Sequence, residues 1–519
     1  MNILITNGHT QLQHKLLDTL SANHQPHLFS DDLRVPTEVE PALDGIDTII
    51  HLGPLALMEA KTTDELTALD EATRGAYVLM NAARTAGIKH IILASSLATF
   101  DRLPTHWRVN EEWRPRPTPA LDQLCPWLTE LSVRESTRVG QMQVACLRFG
   151  QIVDDATVAG QPYDPRWLHI DDAVQGIQQA LAYQHDVQPD WTVFHITAAG
   201  PHAKIRHSNQ QSGKVLGYQP AHDFAEQANA SGAQAEPDRR AWRQVLAPPT
   251  PVPSRPIRNV VNFGAGGPMG AVTTQELLSS YTLRITDVRP IADIAAEANP
   301  QAPGAPLPAP LDPPHENRVV DVRDSQQVMD ACEGMDAILN CSVMRPHPVN
   351  AFLVNTIGAY NVMQAAVAHN IRRVVHTGPL LHWTGIDEPI SGATDYHWDY
   401  DIHVDAPGRA LSHLYIHSKY LGQEICRVFA EYYDLEVPVL LFMSLVNPET
   451  AQHSHGFQIS WADTGRALRR ALEVTSLPSP YEMVNISADL PHGRFDHDKA
   501  RVLLEWTPRD NLAHLWQDG

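Results

Sequence analysis

The chain has 519 residues, 43% hydrophobic and 19% charged, which suits about two to four ordinary globular domains and excludes a disordered chain. Its formal net charge of -21 argues against a broad nucleic-acid surface, because phosphate binding needs clustered Lys and Arg. Five cysteines, at 125, 146, 332, 341 and 426, are odd in number and form no CxxC pair, which argues against a disulfide framework or a structural zinc site.

The start, Met1-Asn2-Ile3-Leu4-Ile5-Thr6-Asn7-Gly8, is predicted as a first β-strand and its turn. It lacks the basic, then apolar, pattern of a signal peptide, and no apolar run approaches the ~18 residues of a membrane span. The expected location is the cytoplasm, with no membrane partner. Next come Gly45-Ile-Asp-Thr-Ile-Ile-His-Leu-Gly53, Gly75-Ala-Tyr-Val-Leu-Met-Asn-Ala-Ala83 and a strand at Lys89-His-Ile-Ile-Leu93. His169-Ile-Asp-Asp172 opens an amphipathic helix, and Leu216-Gly-Tyr-Gln-Pro220 follows. Ala247-Pro-Pro-Thr-Pro-Val-Pro-Ser-Arg-Pro256 has five prolines in ten residues, which excludes helix and sheet interior.

After that spacer the same signals return in the same order. Gly334-Met-Asp-Ala-Ile-Leu-Asn-Cys-Ser342, Gly358-Ala-Tyr-Asn-Val-Met-Gln-Ala-Ala366, Arg373-Val-Val-His376, Ser460-Trp-Ala-Asp463 and Leu504-Glu-Trp-Thr-Pro508 repeat the earlier five. The repeat divides the chain into a first copy over 1–245, a proline-rich linker over 246–256 and a second copy over 257–519. In the second copy strands are predicted at Val260–Phe263, Leu283–Thr286, Ala337–Cys341, Val374–His376 and Val439–Phe442. Helices are predicted at Met329–Cys332, Val354–His369 and His417–Tyr433, and the proline-rich stretch Pro300–Pro314 as a surface excursion. Such βαβ alternation gives an α/β fold: two tandem Rossmann-like, doubly wound parallel-sheet domains, each with a small C-terminal substrate-side portion.

Chemistry gathers in the second copy. A strand runs into Gly264-Ala-Gly-Gly267-Pro268-Met269-Gly270, and a helix follows. Gly264 permits the tight turn, Gly267 lets backbone approach a pyrophosphate, and Gly270 allows close helix packing; the helix N-terminus faces the phosphates. Asp287 ends the next strand, where an acid accepts from a ribose diol and repels a 2′-phosphate. That favours NAD, while Arg289 keeps NADP open. Asp321-Val322 follows another strand-like stretch, a position for the adenine edge.

Tyr415-Ile-His-Ser-Lys419 begins a long helix, and positions i and i+4 share a face. A neighbouring ammonium and a cationic nicotinamide would lower the tyrosine pKa, so that Tyr415 exchanges a proton with an alcohol as hydride moves. With these pieces, Asn355-x-x-Gly358 and Asn485-Ile-Ser487, the second copy resembles the extended short-chain dehydrogenase/reductase family, the NAD-dependent epimerases, dehydratases and sugar dehydrogenases, over essentially all of residues 257–519. The resemblance implies a Rossmann domain, NAD or NADP, a sugar-like substrate, often a dimer, Tyr415 as acid/base and Lys419 binding ribose. The family places Ser-Ser or Ser-Thr after the fourth strand; here His376-Thr377-Gly378-Pro379 stands there. Thr377 is the nearest hydroxyl, with Thr384 and Ser418 as alternatives.

The first copy keeps the skeleton and loses the chemistry. The expected glycines fall on Asn7, Thr10 and Gln13. Ser95-Ser96 survives, but the segment matched to the Tyr-Lys pair reads Trp127-Leu-Thr-Glu-Leu131. This copy is expected to be a structural or regulatory pseudo-domain, standing as a built-in partner; a homo-oligomer is the other possibility. Asp395-Tyr-His397-Trp-Asp399-Tyr-Asp401-Ile-His403-Val-Asp405 alternates acids and histidines, and is read as a substrate loop rather than a metal site. His382-Trp383 and Met344-Arg345-Pro-His347 also fall on post-strand loops, where Arg345 could meet a substrate carboxylate or phosphate. A cofactor-binding sensor without turnover is the rival to an enzyme.

Overall fold

β-Branched runs too short to fold alone alternate with amphipathic helices throughout the chain. Parallel strands joined by helical crossovers are what that alternation produces. The computed structural model describes residues 1–56, 64–104, 107–140, 142–183, 190–200, 206–232, 251–295, 304–345, 347–379, 410–452, 457–490 and 497–515. The chain divides into two units, Met1–Ala247 and Pro248–Gly519.

The first unit contains β1 (Asn2–Thr6), β2 (Gln25–Phe29), β3 (Thr48–His51), β4 (His90–Ser96), β5 (Gln143–Phe149), β6 (Gln151–Val153), β7 (Trp167–His169) and β8 (Asp190–Ile196). Six form one parallel sheet in the order β2-β1-β3-β4-β5-β8, and β6 pairs with β7. Alternation along β1 is legible in the core: Ile3 and Ile5 pack on one face with Leu12 and Leu16, and Leu4 on the other with Ile49 and Leu79.

The second unit contains β9 (Asn259–Phe263), β10 (Thr282–Asp287), β11 (Glu316–Val319), β12 (Ala337–Asn340), β13 (Arg373–Pro379), β14 (Val437–Phe442), β15 (Ser444–Val446), β16 (Gln458–Ser460) and β17 (Tyr481–Asn485). Its parallel sheet has seven strands, β11-β10-β9-β12-β13-β14-β17. The strand order turns back at β9, which pairs with β10 on one side and β12 on the other. That switch point opens a crevice at the carboxyl ends of β9 and β12. The first sheet has one outer strand fewer. Beyond β1 it ends at β2, whereas the second sheet continues past β10 to β11.

All five strands predicted for the second copy lie on observed strands, with Cys341 one residue past the end of β12. The helices run longer than predicted. Ser325–Cys332 starts one turn early because Asp324 caps it, accepting from the N–H groups of Gln326 and Gln327. The helix bearing Tyr415 spans Ala410–Tyr433. Residues 305–314 carry no helix or strand. One expectation is corrected: Asn350–Ala368 is a 19-residue helical run apolar enough to span a membrane by length and composition. Most of it is buried in the second unit, where both flanks of a crossover helix need apolar side chains.

Candidate functional site

The turn after β9 shows which glycines the chain itself requires. Gly264 has φ +79°, and a Cβ there would stand 2.7 Å from the Ser342 nitrogen at the end of β12. A Cβ on Gly270 would overlap the Gly264 carbonyl, so the helix Pro268–Leu277 can sit this close only through Gly270. Gly266, to which no role was assigned from sequence, is crowded by side chains rather than by backbone. Its Cβ would lie 2.5 Å from Ile294 Cδ1 and 2.8 Å from Asp287 Oδ2. Gly267 differs, since its nearest neighbour would be the Gly264 oxygen at 3.5 Å, an ordinary contact. Gly267 is the N-cap, Pro268 occupies the first turn, and no side chain caps the helix. Met269 is partly buried against the core. The first-turn N–H groups therefore face the crevice without a side-chain acceptor, as an anion site requires.

Asp287 ends β10 beside this turn. Its Oδ2 accepts from Gly266 N–H at 3.0 Å and its Oδ1 from Val288 N–H at 2.8 Å. Burial raises its pKa, and the N–H donors of Gly266, Val288 and Arg289 oppose that. Arg289 is exposed. Asp321 is already engaged: Arg323 donates to both of its carboxylate oxygens, with Nη2 to Oδ2 at 2.5 Å, and holds its pKa low. Val322 is buried, its carbonyl accepts from Asn361 Nδ2 at 2.9 Å, and its Cγ2 fills the space a Cβ on Gly358 would need. This stretch is thus built into the sheet edge by its own side chains.

The Ala410–Tyr433 helix packs against β13, β14 and β17 and carries the Tyr-Lys pair. Lys419 is buried, and its Nζ donates to the carbonyls of Ser342 at 2.9 Å and Thr377 at 3.2 Å. Burial brings its pKa down to about 8. Tyr415 departs from expectation, because burial raises its pKa instead of leaving it low. The cation opposing that rise is Arg345, whose Cζ lies over the Tyr415 ring, 5.3 Å from its centroid. Asn355 fixes the arginine's loop. Its Oδ1 accepts from Met344 N–H at 3.0 Å, and its Nδ2 donates to the Met344 carbonyl at 2.7 Å and to Ser418 Oγ at 2.9 Å.

Two of the three hydroxyl candidates, Thr377 and Ser418, spend their protons on backbone carbonyls. Thr377 is buried in β13, and its hydroxyl donates to the Asn340 carbonyl at 3.0 Å. Strand alternation turns that side chain into the sheet's packing. Ser418 is fully buried, donating to the Tyr415 carbonyl at 3.1 Å and accepting from Asn355. Thr384, His382-Trp383 and the acid–histidine run from Asp395 to Asp405 lie outside the described residues. Asn485 and Ser487 are buried beside β14 and β17.

The first unit shows how the same frame closes. Asn7 N–H donates to Phe29 O at 3.1 Å as Gly264 N–H does to Thr286 O at 3.0 Å, so Ser30 takes the place of Asp287. The turn is one residue shorter, and the helix Thr10–Leu20 is N-capped by His9, whose Nδ1 accepts from Leu12 N–H at 3.5 Å. The positions matched to Gly267 and Gly270 are therefore His9 and Leu12, not Thr10 and Gln13. A second correction concerns the Tyr-Lys match. Thr129 Oγ1 donates to Ala72 O at 2.9 Å, where a Cβ on Gly422 would overlap Asn355 O. This register puts Asp122 and Pro126, five residues before the segment matched by eye, opposite Tyr415 and Lys419. Ser95 Oγ donates to Glu130 at 2.5 Å, and Glu130 forms a buried pair with Arg148 at 2.7 Å. Beyond β7, the His169 and His222 rings stack at 3.7 Å where the second unit has a Ser460–Asp510 hydrogen bond. These rings and Asp171, which is paired with Lys15, offer three ligand-type atoms close together.

The chain is similar to known proteins. Over 270 residues, 48% of this chain and 96% of the relative, the sequence is 27% identical to an L-arabinose 1-dehydrogenase (NAD(P)(+)) of Haloferax volcanii. An NAD-dependent glucose-6-phosphate dehydrogenase of the same organism is 25% identical over 270 residues, 50% of this chain and 96% of that protein. Among solved structures, uronate dehydrogenase from Agrobacterium tumefaciens is similar at 21% identity and a TM-score of 0.38, covering 50% of this chain and 86% of that one. Residues 3–120 and 262–469, one segment in each unit and together more than half of the sequence, match one family description. The chain belongs to the NAD dependent epimerase/dehydratase family, in two tandem copies.

Proposed function

We propose that the second unit binds a nicotinamide dinucleotide, NAD ahead of NADP, and acts as an oxidoreductase, epimerase or dehydratase on a sugar-like hydroxylated small molecule. The observation that carries this reading is the uncapped helix N-terminus at Gly267, set at the switch point beside the Asp287 carboxylate. The backbone of Gly264–Gly270 receives the diphosphate, and Asp287 receives a ribose hydroxyl. Lys419 uses two of its three N–H donors on backbone carbonyls, and the third serves the other ribose. Once bound, the dinucleotide supplies the hydride acceptor or donor. Tyr415 holds or gives up a proton at its Oη. The first unit, with its helix N-terminus closed by His9, takes a structural or regulatory part.

Calorimetric titration of the full chain with NAD and NADP tests the binding claim, and absence of uptake of either overturns it. The commitment of Thr377 and Ser418 to backbone and Asn355 favours a second reading, a dinucleotide sensor without turnover. Tyr415→Phe separates the two. In an enzyme it removes turnover and leaves NAD uptake, whereas a sensor has no turnover to lose across neutral and acidic sugars.

A further inference from the structure

We infer that Arg345 works with Tyr415 at the reacting oxygen, supplying the hydrogen-bond donor that a hydroxyl at the end of β13 would otherwise give. The inference rests on reading the second unit as an enzyme.

Among the described residues, the end of β13 offers no such donor. β4 of the first unit ends in Ser95-Ser96, and the pairing register puts Gly378-Pro379 at the same place on β13. Gly378 carries no side chain, the place of its Cβ being taken by Gln423 Nε2, and Pro379 has no N–H. Thr377 and Ser418 direct their hydroxyl protons at the Asn340 and Tyr415 carbonyls. Among the described residues, the side chain that meets the Tyr415 phenol is Arg345.

The arginine is placed for the task. Its loop is held at Met344 by Asn355, and the same amide grips Ser418, three residues along the helix from Tyr415. One side chain thus sets the spacing between the two partners. Arg345 is exposed and follows β12, the strand whose carboxyl end borders the crevice. A guanidinium has five N–H donors, and one phenol occupies few of them. The charged and titratable groups nearby include Lys419, His376, Cys341 and Cys426, with His347 two residues from Arg345 and His417 two residues from Tyr415. His376, Cys341 and Cys426 are buried around the Lys419 ammonium.

In the oxidative direction the substrate's C–H bond breaks and its two electrons leave as hydride for an oxidised nicotinamide dinucleotide. The hydroxyl proton passes to the Oη of Tyr415 in its ionised form, and C=O forms. Charge building on that oxygen meets the Arg345 N–H donors, and the reverse reaction retraces the path. An arginine anchoring a substrate carboxylate or phosphate would instead matter only for acidic sugars.

The test uses the full chain with NAD and three substrate types: neutral aldoses, a uronic acid and a sugar phosphate. Arg345→Gln is expected to lower kcat about 10²-fold on neutral and acidic substrates alike, with KM little changed. Arg345→Lys should recover part of the loss. Without cofactor or substrate, near-ultraviolet titration of tyrosinate, with Tyr415→Phe as the subtracted reference, should show Tyr415 ionising at higher pH in Arg345→Gln. A loss confined to KM for acidic substrates, or an unmoved Tyr415 titration, overturns the inference while the enzyme reading stands. A parent chain that turns over nothing in the panel removes the enzyme reading, and the inference falls with it.

Discussion

The backbone N–H of Gly266 donates to Asp287 Oδ2 at 3.0 Å, so the glycine turn and the acid of the neighbouring strand are one hydrogen-bonded unit. Gly266→Ala would drive a methyl group against Asp287 and Ile294, breaking that bond and disturbing the fold. The expected loss is about 1–3 kcal/mol of stability, measured by denaturant unfolding, together with NAD uptake.

Gly267 separates folding from binding. A methyl group there meets nothing of the protein closer than 3.5 Å. Gly267→Ala should leave the unfolding midpoint within roughly 0.5 kcal/mol of the parent and weaken NAD binding by about tenfold or more. Equal NAD affinity in calorimetry would show that the diphosphate does not lie on this backbone.

Asp287→Asn keeps the shape and removes the charge. NAD affinity should fall modestly and NADP affinity should rise, so the ratio of their dissociation constants moves toward NADP by about tenfold. An unchanged ratio would show that the carboxylate does not face the 2′ position.

Lys419 gives a pH dependence of definite sign. Its folded pKa is about 8, against an ordinary value of 10.5. Between these values the unfolded chain binds the proton that the folded chain has released, so stability rises with pH across that window. Below pH 8 the buried charge costs its full penalty. Lys419→Met abolishes the slope, and parent should gain on variant by roughly 3 kcal/mol from pH 8 to 10.5. The carbonyls of Ser342 and Thr377 left behind add only a constant offset, so the slope is the quantity to read from unfolding at each pH.

In the first unit, Glu130→Ala leaves the Arg148 guanidinium buried without its carboxylate. A loss of about 3–5 kcal/mol is expected in that unit's unfolding transition. NAD uptake by the full chain at low temperature should be unaltered if the second unit alone binds it.

The strands were legible because parallel sheets buried on both faces demand continuous apolar runs, and the turn at Gly264 because its backbone tolerates no side chain. What escaped the sequence was registration. The helix Leu121–Gly140 offers no periodic landmark that fixes which residue faces Ala72, so the match to Tyr415 and Lys419 slipped by five positions. The one-residue shortening that makes His9 a cap changes no hydrophobic pattern, and only the hydrogen bonds to His9 disclose it. Arg345 meets Tyr415 across 70 residues of intervening chain, a contact no local rule encodes. The commitment of Thr377 to Asn340 is a matter of strand phase, which sequence spacing left one residue ambiguous.

The missing outer strand of the first sheet bears on the history of the two halves. Point substitution can exchange His9 for glycine or Ser30 for aspartate, but it cannot reinstate a crossover and the strand it delivers. The two halves differ in the length of chain they devote to the sheet as well as in their chemistry. Reversion of single codons would therefore not make the halves interchangeable again.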